Sequence, residues 1–253
     1  MSGEAKTGVV TPTQREQYER DGFLILDDLG CAEESFDRIV ADLAGRYTEQ
    51  GQYTQDGVMY ARRRIMDAWK INEDVKRLAL APKPLAVLEE LYGRKPLPFQ
   101  TLNFRVGTQQ AAHSDAIHFS SIPPGFMCGV WVALEDMDED NGPLVYYPGS
   151  HKLPELTMAD VGASATKDEY DRYESHVAEL IEREGLEPHY GTIARGQALV
   201  WAANLLHGGA EQKDKSRTRH SQVTHFFFEG CEYYTPLLSG DGDVRWRDPE
   251  WIQ

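Results

Sequence analysis

Two histidines and one aspartate in this sequence have the types and spacing of metal ligands. His113 and Asp115 are separated by one residue, and His207 lies far downstream. On a β-strand, His113 and Asp115 would point to the same face, because strand side chains alternate with period two. A histidine from a distant strand would complete three ligands on one side of an ion. Two histidines and one carboxylate with open positions opposite suit a non-haem Fe(II) oxygenase.

The segments around these residues predict strands joined by tight turns. Residues 100–107 alternate polar and apolar side chains and end on a glycine, and 129–134 form a second, apolar strand. Turn-forming residues follow, with Asn-Gly-Pro-Leu at 141–144 and Pro-Gly-Ser-His at 148–151. A later strand leads to His-Gly-Gly at 207–209. Because both blocks contribute ligands to one site, we expect a single closed domain.

Arginine side chains behind the third ligand could hold an anionic group. Arg219 opens the strand-like run that ends in three phenylalanines at 226–228. A guanidinium fork matches a carboxylate in bidentate fashion. Arg217 lies two residues earlier, on the same face of such a strand, and stays an alternative.

Together these motifs resemble the phytanoyl-CoA dioxygenase family of Fe(II)/2-oxoglutarate-dependent oxygenases. The resemblance runs from Tyr-Glu-Arg-Asp-Gly-Phe at 18–23 to about Tyr234. A lone His-x-Asp is a weak signal. Its combination with Trp131, the two turn motifs and a distal His-Gly-Gly backed by Arg219 is specific. The expected fold is mainly β with flanking helices, built on a double-stranded β-helix (a cupin-like jelly-roll).

The resemblance implies an enzyme that uses Fe(II), 2-oxoglutarate as co-substrate, and O2. His113, Asp115 and His207 would bind the iron, and an unactivated C–H bond of a small molecule would be hydroxylated with release of succinate and CO2. Related halogenases carry a small residue in place of the carboxylate, so Asp115 favours hydroxylation. Desaturation or cyclisation stays open. A non-catalytic or isomerase-type metal-binding cupin barrel is the alternative from another class.

Four residues are candidates for contact with 2-oxoglutarate. Arg219 is preferred over Arg217, because Thr-Arg-x-Ser at 218–221 resembles the family segment. Trp131 resembles a family residue near the co-substrate, with core packing as the alternative. Asn103 lies on a strand face that is polar at alternate positions, and Gln110 stands just before the metal ligands.

Further candidates belong to a substrate pocket, and they are Arg105, His118, Trp69 and Arg217. Arg105 shares a strand face with Asn103, for which an outward, solvated face is the alternative. His118 lies at odd spacing from Asp115 and is ranked as structural or indirect. Trp69 follows an arginine run at 62–64 that reads more simply as an exposed basic patch. Of His220 and His225, at most one can face the pocket.

Composition limits the class of protein. The 253 residues fit one domain over 1–253, and 26 basic against 41 acidic side chains give a net charge of −15. That charge argues against nucleic acid or an anionic membrane as partner and leaves a small molecule. Three scattered cysteines and the absence of a signal pattern or long apolar run indicate the cytoplasm. The sequence does not determine the oligomeric state, and a homo-oligomer stays an alternative to a monomer.

The chain divides into four stretches by pattern. Residues 1–95 are expected to form a mostly helical N-terminal support. Barrel strands are expected over 96–150 and 191–236, and the acidic stretch 153–190 between them is expected to be a helical insertion that acts as a lid. Within the first stretch, the sequence predicts a helix from Thr11, a strand at 23–26, and helices at 33–47, 73–80 and 84–92.

Overall fold

The computed structural model describes residues 8–240 and 242–253. Its strands are β1 Phe23–Leu26, β2 Tyr53–Gln55, β3 Val58–Tyr60, β4 Arg64–Met66, β5 Pro96–Phe104, β6 Ser120–Ile122, β7 Met127–Ala133, β8 Leu144–Tyr146, β9 His189–Tyr190, β10 Ala198–Ala202, β11 His207–Gly209, β12 Ser221–Phe228 and β13 Glu232–Tyr234. Its α-helices are α1 Pro12–Asp21, α2 Glu34–Leu43, α3 Glu73–Ala79, α4 Pro82–Tyr92 and α5 Tyr170–Glu184. The predicted mainly β architecture with flanking helices is confirmed.

Antiparallel pairing organises the strands into one large and two small sheets. The large sheet has the order β1-β10-β7-β12-β5-β4-β3-β2, and the small sheets have the orders β11-β8-β9 and β13-β6. Strands from both sequence blocks therefore alternate within the large sheet, because β10 and β12 flank β7. The two blocks form one closed unit around a shared interior.

The central strand β7 is buried on both faces, which explains its continuous apolar run. Cys128, Val130 and Val132 pack with the outer cluster that includes α2, α3 and α4. Trp131 and Ala133 point the other way, into the cluster between the sheets. Strand alternation thus separates a helix-covered outer face from an inner face that lines the barrel.

The predicted N-terminal helices form with small shifts at their ends. Thr11 and Gln14 make a reciprocal capping box at the start of α1, and Gly22 ends that helix in the left-handed conformation. Helix α4 begins at Pro82 rather than Pro84, because prolines in a first turn lack only N–H groups that the helix does not use. The predicted strand at 23–26 pairs with β10.

Three short strands in the N-terminal stretch were not predicted. Strands β2, β3 and β4 follow one another antiparallel and extend the large sheet beyond β5. Their sequences are only three residues long, which is too short for alternation to stand out. Consequently, Arg64 of the arginine run at 62–64 enters the sheet in β4, whereas Arg62 stays exposed.

The segment that carries the first two candidate ligands differs from the expected strand. His113 makes an isolated bridge to His207, and the chain then turns into a 3-10 helix, Asp115–Ile117. Ser114 caps this turn by accepting the amide N–H of Ala116 at 3.1 Å. His113 and Asp115 therefore point to the same side, as predicted, but the residues after Asp115 do not alternate as they would on a strand.

The acidic insertion folds against the barrel through α5. Tyr173, Val177 and Leu180 are buried beside Ile117 and Leu206, close to the candidate ligands. The Tyr173 hydroxyl accepts the backbone N–H of Ser114 at 3.1 Å. Among the helices of the described residues, none combines the length and apolar character needed to cross a membrane.

Candidate metal and co-substrate site

His113, Asp115 and His207 lie together between the sheets. Their potential ligand atoms are all within 4.8 Å of one another, and the residues are 7%, 4% and 5% exposed. The backbones of His113 and His207 exchange two N–H···O bonds, each 2.9 Å long, so the two side chains stand on the same face. Asp115 reaches the same point from the following turn.

Both imidazoles are oriented to offer one nitrogen to an ion. The Nδ1 of His113 lies 3.0 Å from the carbonyl of Ala111, and that of His207 lies 2.9 Å from the carbonyl of Leu205. A carbonyl accepts only, so each Nδ1 carries the proton and each Nε2 keeps its lone pair. Burial lowers the pKa of His113 to about 3, helped by repulsion from His207, which keeps this imidazole neutral.

The spacing of the three groups fits an ion. The Nε2 atoms of His113 and His207 lie 4.0 and 3.8 Å from the carboxylate oxygens of Asp115. Bonds of about 2.1 Å to one ion place neighbouring ligand atoms about 3 Å apart, which small side-chain rotations achieve here. All three side chains line one cavity, so the space in front of them is open to an ion.

Two further side chains hold the Asp115 carboxylate. The indole N–H of Trp201 donates to Oδ2 at 2.8 Å, and the Nε2 of His225 lies 3.5 Å from the same oxygen. Burial raises the pKa of Asp115, but attraction by His207 and His225 outweighs it, and the net shift is downward. Gly129 makes this possible, because a Cβ there would collide with the Trp201 ring.

A cavity of about 540 Å³ opens over these groups. Its wall combines strands of the large sheet, strand β11 and the insertion, and it is mostly apolar. The polar and charged side chains on it are Arg64, Gln100, Thr108, Gln110, His113, Asp115, His118, Lys167, Tyr170, His207, Arg219, His225, Thr235 and Arg247. This volume falls in the ordinary range for small-molecule sites.

Arg219 is a buried cation on this wall that forms no ion pair with any acidic side chain of the described residues. It is 3% exposed, and its Nη1 donates to the Ser221 hydroxyl at 3.1 Å. Its Nε has no hydrogen-bond partner among the described residues. Burial lowers the pKa of Arg219 to about 10, with Glu135 opposing, so the group is charged at neutral pH. A buried positive charge without a counter-charge is unfavourable, so a bound anion would stabilise this site.

Trp131 combines both roles considered from the sequence. It is fully buried in the inner cluster and also lines the cavity. Arg219 lies over its ring at 5.4 Å and over that of Phe104 at 5.5 Å. These aromatic faces stabilise the guanidinium by cation–π attraction. The Trp131 indole N–H lacks a partner within the described residues and is available to a ligand.

The other candidate arginine lies away from the cavity. Arg217 donates to both carboxylate oxygens of Asp138, at 2.9 and 2.7 Å, and is half-buried. Arg217 and Arg219 were expected on one strand face, but β12 begins only at Ser221. Side chains before that residue do not follow the alternation of a strand. Arg219 alone of the pair reaches the site.

The structure does not bring Asn103 or Arg105 to the cavity. The cavity-facing residues of β5 are Gln100, Leu102 and Phe104. Asn103 points to the opposite face, where it donates to Gln222 under helix α3 at 3.1 Å. Arg105 is exposed. The polar face was assigned to the wrong side of the sheet, because buried polar side chains occur on the helix-covered face when they bond to each other.

The remaining candidates divide between the cavity and the core. Gln110 and His118 line the cavity, and the Nε2 of His118 lies 3.1 Å from the Tyr170 hydroxyl. Burial lowers the pKa of His118 to about 4. Trp69 lies elsewhere, packed against the outer cluster.

Several cavity residues were missed by reasoning from the sequence. Trp201 and His225 carry no local motif, although their strands were predicted and His225 was weighed against His220. Arg64, Tyr170 and Arg247 come from segments that only the tertiary fold brings to the site. Among the described residues the insertion contributes Lys167 and Tyr170 to the cavity wall.

Comparison with known sequences gives consistent matches along the chain. A family model described as phytanoyl-CoA dioxygenase (PhyH) matches residues 18–221. The peroxisomal phytanoyl-CoA dioxygenase of Rattus norvegicus is 22% identical over 89% of this chain and 70% of its own length. The ectoine dioxygenase of Stutzerimonas stutzeri (strain A1501) is 26% identical over 76% of this chain and 69% of its own length.

Solved structures share the fold. EctD from S. alaskensis with 2-oxoglutarate and 5-hydroxyectoine superposes with a TM-score of 0.68 at 19% identity, covering 98% of this chain and 88% of that one. The 2-oxoglutarate-dependent epimerase SnoN from nogalamycin biosynthesis gives a TM-score of 0.66 at 18% identity, covering 95% and 97%. These matches confirm the predicted jelly-roll fold. With a family model that spans most of its length, the chain belongs to the phytanoyl-CoA dioxygenase (PhyH) family.

Proposed function

We propose that this protein is an Fe(II)- and 2-oxoglutarate-dependent dioxygenase that hydroxylates an unactivated C–H bond of a small molecule, with release of succinate and CO2. One observation carries the proposal. A buried His-Asp-His cluster shares a cavity with a buried arginine that has no acidic partner within residues 8–240 and 242–253. A ferrous ion would supply a positive charge to the His-Asp-His cluster, and a dicarboxylate would supply a negative charge to the arginine.

Each residue of the site then has a defined role. His113, Asp115 and His207 hold the ion on one side and leave the cavity side open for other ligands. Arg219 binds the distal carboxylate of 2-oxoglutarate, and Trp131 flanks it. Bound iron and 2-oxoglutarate supply the oxidising chemistry, while the protein orients the substrate and excludes water.

The insertion has a place in this proposal as a lid. Tyr170 lines the cavity and contacts His118, while Tyr173 is tied to the backbone of Ser114. Movement of α5 would therefore open the cavity next to the metal ligands. Because Asp115 occupies the third ligand position, hydroxylation is favoured over halogenation. A cytoplasmic location stays a prediction.

Iron-dependent succinate release tests the proposal. Purified protein supplied with Fe(II), 2-oxoglutarate and air should form succinate slowly even without substrate, because such enzymes uncouple. His113→Ala and Asp115→Ala should abolish it, since each removes a ligand. His189→Ala is a matched control, because His189 is exposed in β9. Succinate formation that persists in both ligand variants would overturn the assignment.

A desaturating or ring-forming outcome uses the same site. The structural neighbours include the 2-oxoglutarate-dependent epimerase SnoN and the 2-oxoglutarate-dependent carbocyclase SnoK, both from nogalamycin biosynthesis. Product analysis by mass distinguishes these outcomes, because hydroxylation adds one oxygen, whereas desaturation and ring closure each remove two hydrogens.

A further inference from the structure

The cavity wall is rich in positive charge, although the chain as a whole is acidic. Among the described residues, four cations line it, Arg64, Lys167, Arg219 and Arg247, against the single carboxylate of Asp115. The net charge of the chain is −15. Local charge of the opposite sign in a cleft attracts anions and raises their concentration there.

The proposed iron and co-substrate leave most of this charge unbalanced. A ferrous ion (2+), the Asp115 carboxylate (1−), 2-oxoglutarate (2−) and Arg219 (1+) sum to zero. Arg64, Arg247 and Lys167 then remain without a counter-charge from the described residues of the cavity wall. Lys167 is exposed at the insertion, whereas the two arginines are half-buried. The two arginines are therefore the groups that need an explanation.

Arg64 is directed into the cavity by strand pairing. In β4, Arg64 and Met66 stand opposite Phe104 and Leu102 of β5, which also line the cavity. Burial lowers the pKa of Arg64 and no acidic group opposes it. Within the described ranges the guanidinium makes no ion pair, unlike its neighbour Arg62, which pairs with Glu49 at 2.8 Å.

Arg247 reaches the cavity from the C-terminal segment. Its backbone N–H donates to the carbonyl of Tyr233 at 2.8 Å, and its Nη1 donates to the Thr235 hydroxyl at 2.9 Å. The guanidinium lies 4.8 Å over the Phe119 ring, and its Nε has no partner among the described residues. Asp67 attracts the Arg247 guanidinium, but no ion pair joins the two side chains. Because its Nε also has no partner among the described residues, Arg247 keeps a donor that a ligand could use.

Both arginines line the cavity that contains the candidate metal ligands. Phe119, under Arg247, is 5.1 Å from the ring of His225, which in turn is 3.5 Å from Asp115. Arg64 lines the cavity together with His118, whose ring lies 6.0 Å from that of His113. An anion held by these arginines would therefore present the atoms attached to it to the iron.

We propose that Arg64 and Arg247 form a second anion subsite and that the substrate is a small organic acid. Its carboxylate or phosphate would bind these guanidinium groups, and its apolar part would lie against Phe119, Val223 and Leu237 of the wall. Lys167 at the entrance would attract the anion. This inference rests on the proposed function, because the charge count includes iron and 2-oxoglutarate.

Matched probes test the subsite. Octanoate, 3-phenylpropionate and octyl phosphate would be compared with octanamide and 3-phenylpropionamide. Under anaerobic conditions, each probe is titrated into protein loaded with Fe(II) and 2-oxoglutarate, and the visible absorption band of the iron complex reports its binding. We expect at least one acid to bind about tenfold or more tightly than its amide, since hydrogen bonds to charged groups are strong. Carboxylate and phosphate arms distinguish the two acid types.

Variants then assign the preference to the two arginines. Arg64→Gln and Arg247→Gln should each reduce the acid-over-amide ratio about tenfold. Arg62→Gln and Arg245→Gln are the controls, because these neighbours are exposed and should keep the wild-type ratio. Equal binding of acids and amides by wild-type protein would overturn the subsite, whether or not the variants fold. Absence of the absorption band in wild-type protein would instead refute the proposed function.

Discussion

Replacing Arg219 with methionine should leave the stability of the ligand-free protein nearly unchanged and strongly weaken its binding of 2-oxoglutarate. Arg219 is buried, lacks an acidic partner, and leaves its Nε without a hydrogen bond in the described residues. The burial of this charge therefore lowers the free energy of unfolding of the free protein. In the complex the same charge would pair with the distal carboxylate. Methionine has a similar length and removes both effects.

The magnitudes follow from the structure. A fall in the pKa of Arg219 from 12.5 to about 10 corresponds to a cost of about 3 kcal/mol at neutral pH. Because a base with a lowered pKa is destabilising while protonated, this cost is present in full below pH 10 and disappears only as the pH rises towards 12.5. The two cation–π contacts return about 1 kcal/mol each, and the hydrogen bond to Ser221 returns about 1 kcal/mol. These contributions nearly cancel the cost, so Arg219→Met should change the free energy of unfolding of the free protein by less than about 1 kcal/mol.

Thermal unfolding with and without ligand is the assay. For a chain of this size, about 1 kcal/mol corresponds to about 2–4 °C in melting temperature, so the ligand-free variant should melt within that range of the wild type. Loss of one partner of a buried charge pair costs about 2–5 kcal/mol, so 2-oxoglutarate affinity should fall by about 30-fold or more. Arg105→Met is the control, since Arg105 is exposed. A clear drop in the free protein's melting temperature, with wild-type stabilisation by 2-oxoglutarate, would refute this reasoning.

Three further outcomes are expected. Trp201→Phe removes the N–H that holds Asp115, and metal affinity measured by titration should fall about tenfold to a hundredfold; an unchanged affinity would contradict this role. Burial lowers the pKa of His113 to about 3 and of His118 to about 4, so below pH 6.5 the unfolded chain binds protons that the native state does not. The metal-free protein should thus lose stability between pH 6.5 and 4, and a flat profile would count against buried neutral imidazoles. Gly129→Ala should displace the Trp201 ring, lower the free energy of unfolding by about 1–3 kcal/mol and weaken metal binding; wild-type stability would exclude the collision.

The candidate ligands were predictable because their geometry is local. His113 and Asp115 are two residues apart, and one extended residue between them is enough to align their side chains. The helix starts were equally local, since the capping box of α1 involves only Thr11 and Gln14. The resemblance then linked these ligands to His207, about ninety residues away, which spacing alone could not do.

The misassigned and missed residues depend on tertiary contacts. Asn103 and Leu102 alternate on one strand, and the sequence does not say which face the helices cover. Arg247 and Arg64 reach the cavity only because the C-terminal segment and an added edge hairpin pack beside β5. His225 is a similar case, because its strand was predicted but its contact with Asp115 arises across the barrel.

A crystal structure obtained without oxygen, with Fe(II) and 2-oxoglutarate, tests the central claim most directly. We predict one ion bound by Nε2 of His113, Nε2 of His207 and a carboxylate oxygen of Asp115, with the free end of 2-oxoglutarate on the guanidinium of Arg219. An ion at another place, an ion enclosed by protein ligands on every side, or a co-substrate bound away from Arg219 would contradict the account.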